Sequence, residues 1–324
     1  MGFPFSDSKD DNYLHTIAFY NLENLFNTKD DKHTLDRDFT PNGRKKWTDA
    51  RYRKKLRKLS TTISKIGKET AYKPPTLVGI VEVENSEVIK DLLSTKGLKD
   101  YDYDFVHFES PDERGIDTAL LYLKSYFKVI ESRPIPLLIF NDNGVRDTTR
   151  DILYIRGELN GEEIHVFVNH WPSRRTGASE TLEKRMLAAE KVLMEMTEIE
   201  KNHSNPKYII MGDFNDNPNA QSIRHMISSK PLYNPMETLL SEERGSANYK
   251  RQWSLFDQII ISERFFNYAT KQHSFTEADI FDSYNLREWS GRYTGNPFRT
   301  YVGTKYLGGS SDHFPVYIQL EYNP

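Results

Sequence analysis

The chain has 324 residues, with 44 lysines and arginines against 47 aspartates and glutamates, giving a formal charge of −3. Its 37% hydrophobic and 13% aromatic contents suffice for a packed core, and the near-neutral balance excludes both a disordered polyelectrolyte and a globally polycationic nucleic-acid coat. The absence of cysteine excludes disulfides, thiolate metal sites and cysteine nucleophiles, so any metal must use Asp, Glu, Asn or His. No apolar run approaches the roughly 18–20 residues of a spanning helix, so no stable membrane insertion is expected. The polar start has no signal-peptide core, but an export signal removed earlier would leave the same sequence, so the compartment stays open.

A β-branched and aromatic run predicts a first strand at His15–Leu22. Tyr52, Leu56, Leu59, Ile63 and Ile66 then recur at steps of four and three, one apolar stripe on a helix. Leu77–Val83 reads as a strand, and Asn85 as the cap of a short helix through Leu93. Strands follow at Tyr103–Phe108, Thr118–Leu123, Ile152–Leu159 and Glu163–Asn169, the last two joined by Asn160-Gly161, a tight hairpin signal. Ser179 is placed to cap a longer helix carrying Leu182, Met186, Ala189, Val192 and Met196 on one face. Strands at Tyr208–Met211, Gln258–Ser262 and Phe314–Leu320 complete the set. Helices between strands, plus a hairpin, predict an α+β fold of mixed sheets with helices outside. Without repeats or Gly/Ser linkers, a single domain over residues 1–324 is expected, with an ordered core of about residues 13–322.

Two segments resist regular structure, Thr28–Lys46 and Asp282–Ser311. The second mixes six aromatics with four basic residues and reads either as substrate-contacting or as a locally packed lid. Arg44–Lys58 holds nine Lys/Arg and one acid, and is read as the solvated face of the first helix rather than a nucleic-acid track.

Polar groups sit where strands end. They are Asn21 and Glu23, Glu82 and Glu84, Asn169-His170, Gly212-Asp213-Phe214-Asn215, Asp257, and Asp312-His313. Each alone is an ordinary strand-end turn, with Gly212 permitting a sharp bend. A carboxylate closing a buried strand is nevertheless costly unless solvated, paired or bound to a cation.

Taken together, NLEN at Asn21–Asn24, the Glu82 region, NHWPSR at Asn169–Arg174, GDFND at Gly212–Asp216, FDQIIIS at Phe256–Ser262 and SDHFPV at Ser311–Val316 resemble the endonuclease/exonuclease/phosphatase superfamily. Its members include deoxyribonuclease I, exonuclease III, neutral sphingomyelinases and inositol polyphosphate 5-phosphatases. The resemblance implies a four-layer α-β-β-α sandwich with its active site at one edge. It also implies a hard divalent cation, Mg²⁺ with Mn²⁺ or Ca²⁺ as substitutes, held by Glu82 with Asn21 nearby and by Asp312 at the same or a second site. Glu82 is favoured over Glu84 because it lies nearer the buried strand. Asp213 would activate water, Asn215 would contact phosphate, and His313, oriented by Asp257, and His170 would serve the phosphate or the leaving group. RGIDTALLY at Arg114–Tyr122 makes Asp117 the expected orienter of His170, and Arg174 is a candidate phosphate clamp or, alternatively, a surface salt-bridge partner. The implied activity is phosphodiester hydrolysis, by an endonuclease on nucleic acid or, alternatively, on small or lipid-derived phosphate esters, in a monomer.

Overall fold

Along the first strand, β1 (Leu14–Leu25), Ile17 and Phe19 enter one apolar core while Ala18 and Tyr20 enter another, as period-two geometry requires. The same division recurs at Ile209 and Met211 against Tyr208 and Ile210. One core therefore lies between two sheets, and two outer cores lie beneath helices. The structure, a computed structural model, describes residues 13–140, 144–174 and 177–324.

The remaining strands are β2 (Leu77–Val83), β3 (Tyr103–His107), β4 (Asp117–Leu123), β5 (Phe127–Ile135), a ribbon of β6 (Ile139–Phe140) and β7 (Arg146–Asp147), β8 (Ile152–Leu159) and β9 (Glu162–His170). They continue as β10 (Tyr208–Asp213), β11 (Leu232–Tyr233), the hairpin β12 (Ala247–Tyr249) and β13 (Gln252–Ser254), and β14 (Asp257–Ser262). Last come β15 (Gln272–Ile280), the ribbon β16 (Tyr301–Val302) and β17 (Lys305–Tyr306), and β18 (Val316–Asn323). One six-stranded sheet has the order β15-β18-β1-β2-β4-β3 and the other β11-β14-β10-β9-β8-β5. Both are mixed, with β1 parallel to β2 and β9 parallel to β10.

The helices are α1 (Asp49–Ile63), α2 (Lys68–Ala71), α3 (Ser86–Leu93), α4 (Leu182–Glu200) and α5 (Gln221–Ser229). The α1 stripe packs with α3 on the first sheet, and α4 with α5 covers the second, completing the four-layer sandwich. Asn85 caps α3 by accepting from Glu87 N and Val88 N. Ser179 does not cap α4. The helix starts after Thr181, and the Ser179 carbonyl accepts from Leu182 N. Asn160 and Gly161 both take positive φ, 47° and 85°, in the β8–β9 hairpin. Within the two six-stranded sheets the sequence pattern does not predict β5, β11 and β15, which all lie at sheet edges; solvent-facing polar residues break the apolar alternation of β5 and β15, and β11 is only two residues long. Among the described residues no helix is long and apolar enough to cross a membrane.

Candidate active site

The strands fix most of the site before any side chain is considered. In the second sheet Asp213 pairs in register with His170 on one side and with Asp257 on the other, forming one row across β9, β10 and β14. All three continue the inward alternation of Val168, Met211 and Ile259, so the core between the sheets turns polar at this end. Asn21 extends the Ile17–Phe19 face in the same way from the first sheet. Gly212 is not a turn residue here. It sits inside β10, where a Cβ would lie 2.5 Å from the Asn169 carbonyl oxygen, so the close β9–β10 approach excludes a side chain.

Glu82 arrives differently. Simple alternation after Val81 would send it outward beneath the helices, but it takes a left-handed φ of 61° at a break in the β2–β4 register. The strand changes phase there, and Val83 joins the outer core instead. A left-handed non-glycine residue costs on the order of 1 kcal/mol and is a recurrent mark of functional sites.

Contacts then link the group. Asn21 Nδ2 donates to Asp213 Oδ2 at 3.0 Å, and Asn215 N donates to Asp213 Oδ1 at 2.9 Å. His170 Nε2 stands 3.8 Å from Glu82 Oε1 and 3.9 Å from Asp213 Oδ2. Asp257 Oδ2 holds His313 Nδ1 at 2.7 Å, and ligand atoms of Asp213, Asp257 and His313 all lie within 4.8 Å of one another. Asp312 Oδ1 is 4.0 Å from His313 Nε2, while its Oδ2 accepts from Arg299. Glu84 points elsewhere, accepting from Asn27 N at 2.5 Å.

Two expectations need correction. Asp117 does not orient His170. It shares the outward face of β4 with Ala119 and Leu121, and there binds His107 Nε2 at 2.9 Å and Ser110 Oγ at 2.6 Å. His170 Nδ1 is buried with no hydrogen-bond partner among the described residues. Arg174 is not a free clamp either. Its guanidinium donates to Asp216 and, at 2.6 Å, to the Asn215 carbonyl, bracing the turn after β10.

Burial would lower the His313 imidazole, but the charge and hydrogen bond of Asp257, with Asp213 and Asp312, hold it well above its ordinary value. Burial and the Asp257 charge instead raise Asp213 to about 6 against the pull of His313. Burial, with Arg150, Arg114 and His313 nearby, keeps His170 well below its usual range, so its imidazole is neutral. Glu82 fits a hard cation. Its Oε2 accepts from Asn24 N at 2.8 Å, and its Oε1 has no hydrogen-bond donor among the described residues. Asp312 Oδ1 supplies a second oxygen of the same chemistry, whereas Asn21 directs its amide N–H to Asp213.

The family model described as Endonuclease/Exonuclease/phosphatase family matches residues 16–322. The chain belongs to this family. Its enzymes are phosphoric ester hydrolases that generally use divalent metals. No curated protein matches the sequence. Among solved structures, a mannosyl-6-phosphatase from Bacteroides thetaiotaomicron VPI-5482 is 18% identical with a TM-score of 0.59, over 95% of this chain and 100% of that one. D. rerio TDP2, humanized by 14 mutations, is 14% identical with a TM-score of 0.59 over 95% and 99% of the two chains. The catalytic domain of human Nocturnin is 16% identical with a TM-score of 0.57 over 96% and 94%. At these identities the likeness establishes the shared fold.

In this family member the segment between β15 and β18 forms a strap tied to the site. Glu23 is buried beneath it, accepting from Thr300 N at 2.6 Å and Tyr301 N at 3.4 Å. Lys55, 2% exposed, stands on the buried side of α1 between Tyr52 and Leu59, and donates to the Glu23 carbonyl and, at 2.8 Å, to Thr300 Oγ1. Burial and Asp312 raise the Glu23 carboxyl to about 7, and burial lowers the Lys55 amine. Ser311 Oγ donates to the Asn21 carbonyl at 2.7 Å, which seats Asp312 and His313. None of these strap anchors follows from the sequence, where Glu23 is one more strand-end acid and Lys55 one of nine basic neighbours.

The β12–β13 hairpin likewise has no signal in the sequence pattern. Its base bridges Ala247 to His313, and Ser246 O accepts from Phe314 N at 2.7 Å. Its tip, Lys250-Arg251, takes φ of 51° and 68° where Asn-Gly is the usual choice. Hairpin and strap face each other across a cleft of about 510 Å³ that reaches Arg299 and Asp312.

Proposed function

We propose that this chain is a divalent-metal-dependent phosphodiester hydrolase that cuts nucleic acid by in-line attack of water, as an endonuclease. The observation that carries the reading is the His170–Asp213–Asp257 row closed by Glu82 and His313 at one edge of the sandwich. Asp213, raised toward neutrality and fixed by Asn21 and Asn215 N, would orient the water and take its proton. Asn215 gives one amide N–H to the Trp171 carbonyl at 3.1 Å, leaving the other for a non-bridging phosphate oxygen. His313, held cationic by Asp257, would stabilise the phosphate and protonate the leaving oxygen. A divalent cation at Glu82 and Asp312, when bound, would neutralise charge on the phosphoryl oxygens.

The cleft supports a nucleic-acid substrate. Tyr249 and Tyr293 are 73% and 45% exposed along it, as stacking surfaces require. Lys250, Arg251 and Arg292 line it with no acidic partner within ion-pair range among the described residues. D. rerio TDP2, of the same fold, has been solved with a single-strand DNA product.

The test is metal-dependent nicking of supercoiled plasmid, against phosphate release from inositol phosphates and mannose 6-phosphate. Rapid nicking that slows steeply with salt, and is abolished in Asp213→Ala of wild-type thermal stability, is expected. Phosphate release without nicking would move the substrate to small esters. No metal-dependent turnover of bis-p-nitrophenyl phosphate would end the hydrolase reading.

A further inference from the structure

The basic face of α1 does more than meet water. Lys54, Arg57 and Lys58 fall on one stripe of α1 with Thr61 and Thr62, Lys65 follows in the turn after the helix, and together they form one wall of a cavity of about 540 Å³. The opposite wall comes from the beginning and end of the strap, Ser283, Asn285 and Ser310, with Phe281 and Leu286 as an apolar floor. No acid lines the cavity, and among the described residues none of the four cations has a carboxylate within ion-pair distance. The same helix does pair its cations elsewhere, as in Arg53 with Asp49 at 2.7 Å. Like charges three and four residues apart destabilise a helix; the Tyr306 ring 5.9 Å from Lys54 Nζ and the Phe298 ring 5.0 Å from Lys58 Nζ offset part of this repulsion, and a bound anion would offset more. Burial and the Lys54 charge both depress the Lys58 amine, a strain that an anion would relieve.

We propose that this cavity binds a multiply phosphorylated molecule of nucleotide size, with phosphates on Lys54, Arg57, Lys58 and Lys65 and its organic part against Phe281 and Leu286. The volume suits such a ligand and far exceeds a single phosphate, which would leave the apolar floor unused. The site is separate from the hairpin–strap cleft, since the two share no lining residue. It also does not depend on the reading of the catalytic centre. Ser310 lies only two residues before Asp312, so the ligand touches the segment that seats the site. Phosphates of this kind come either from a free molecule or from the backbone of a nucleic-acid strand.

The experiment is equilibrium binding of mant-ATP to the full chain in EDTA, which suppresses metal-dependent hydrolysis, with tripolyphosphate as competitor. Lys54→Gln/Lys58→Gln is expected to weaken binding at least tenfold without lowering the thermal midpoint, and Lys250→Ala/Arg251→Ala to leave mant-ATP affinity within twofold. Equal affinity in the α1 variant and wild type overturns the proposal. So does loss of binding only in the hairpin variant, or no binding at millimolar concentration. A fluorescent ten-nucleotide strand distinguishes the sources. If the α1 variant weakens it in parallel with mant-ATP, the phosphates are those of a bound strand; if only mant-ATP weakens, the ligand is a free molecule.

Discussion

Asp257→Asn isolates the charge behind His313 from its shape. Asp257 is fully buried, one oxygen lies 2.7 Å from His313 Nδ1, and the other has no hydrogen-bond partner to lose. Asparagine therefore fits the same space and still accepts from Nδ1–H. What disappears is the ion-pair attraction, on the order of 4–6 kcal/mol at this separation with an effective dielectric near 20. The retained hydrogen bond offsets roughly 1 kcal/mol. About 3–5 kcal/mol then separates the variant from wild type in keeping the imidazolium, roughly a 10²–10⁴-fold loss in kcat. Initial rates on bis-p-nitrophenyl phosphate at saturating Mg²⁺ measure it, with the thermal midpoint recorded alongside. A variant within fivefold of wild type would refute the assignment of His313 as the group whose positive charge drives the step.

Two stability predictions follow from buried charge. Lys55→Met removes the cation facing the Glu23 carbonyl and Thr300 Oγ1, with the Glu23 and Asp312 carboxyls nearby, and is expected to cost about 3–5 kcal/mol in urea unfolding; a loss under 1 kcal/mol would mean the lysine is solvated. His15 is pushed by burial, then by Lys73 and His273, to about 2, and His165 by burial to about 4, so both fold neutral. Their stabilisation is whole above the unfolded value of 6.5 and is lost as pH falls from there toward the folded values, about 1.4 kcal/mol each by pH 5.5. Urea midpoints at pH 7.5 and 5.5 check this, and a higher midpoint at pH 5.5 would contradict it.

The strands that carry the site were legible because each is an apolar run stopped by a residue that no core would accept. His170, Asp213 and Asp257 announce themselves as polar ends of Val166–Val168, Ile209–Met211 and Ile259–Ile261. Their mutual placement was not legible, because it depends on strand register across the second sheet. Asp117 illustrates the gap. Its sequence neighbourhood suggested a partner for a histidine, and it has one, but the face of β4 selects His107. Lys55 illustrates another, since a buried lysine and a solvated one are spelled alike and only Glu23 and Thr300, distant along the chain, distinguish them. Glu82 was readable as a residue type, but its reorientation by a left-handed backbone was not.

The pairing of β1 between β18 and β2 bears on how the molecule is made. Leu14 lies opposite Glu321 and Phe19 opposite Val316, so the strand carrying Asn21 waits for a neighbour nearly the whole chain length away. During synthesis at roughly 5–20 residues per second, the first sheet cannot close until that neighbour leaves the ribosome. Such long-range closure slows folding. A nascent or truncated chain ending before β18 would hold every acid of the row, and His313 with them, yet would leave β1 and its Asn21 without their antiparallel neighbour, so the two halves of the site would lack the frame that brings them together.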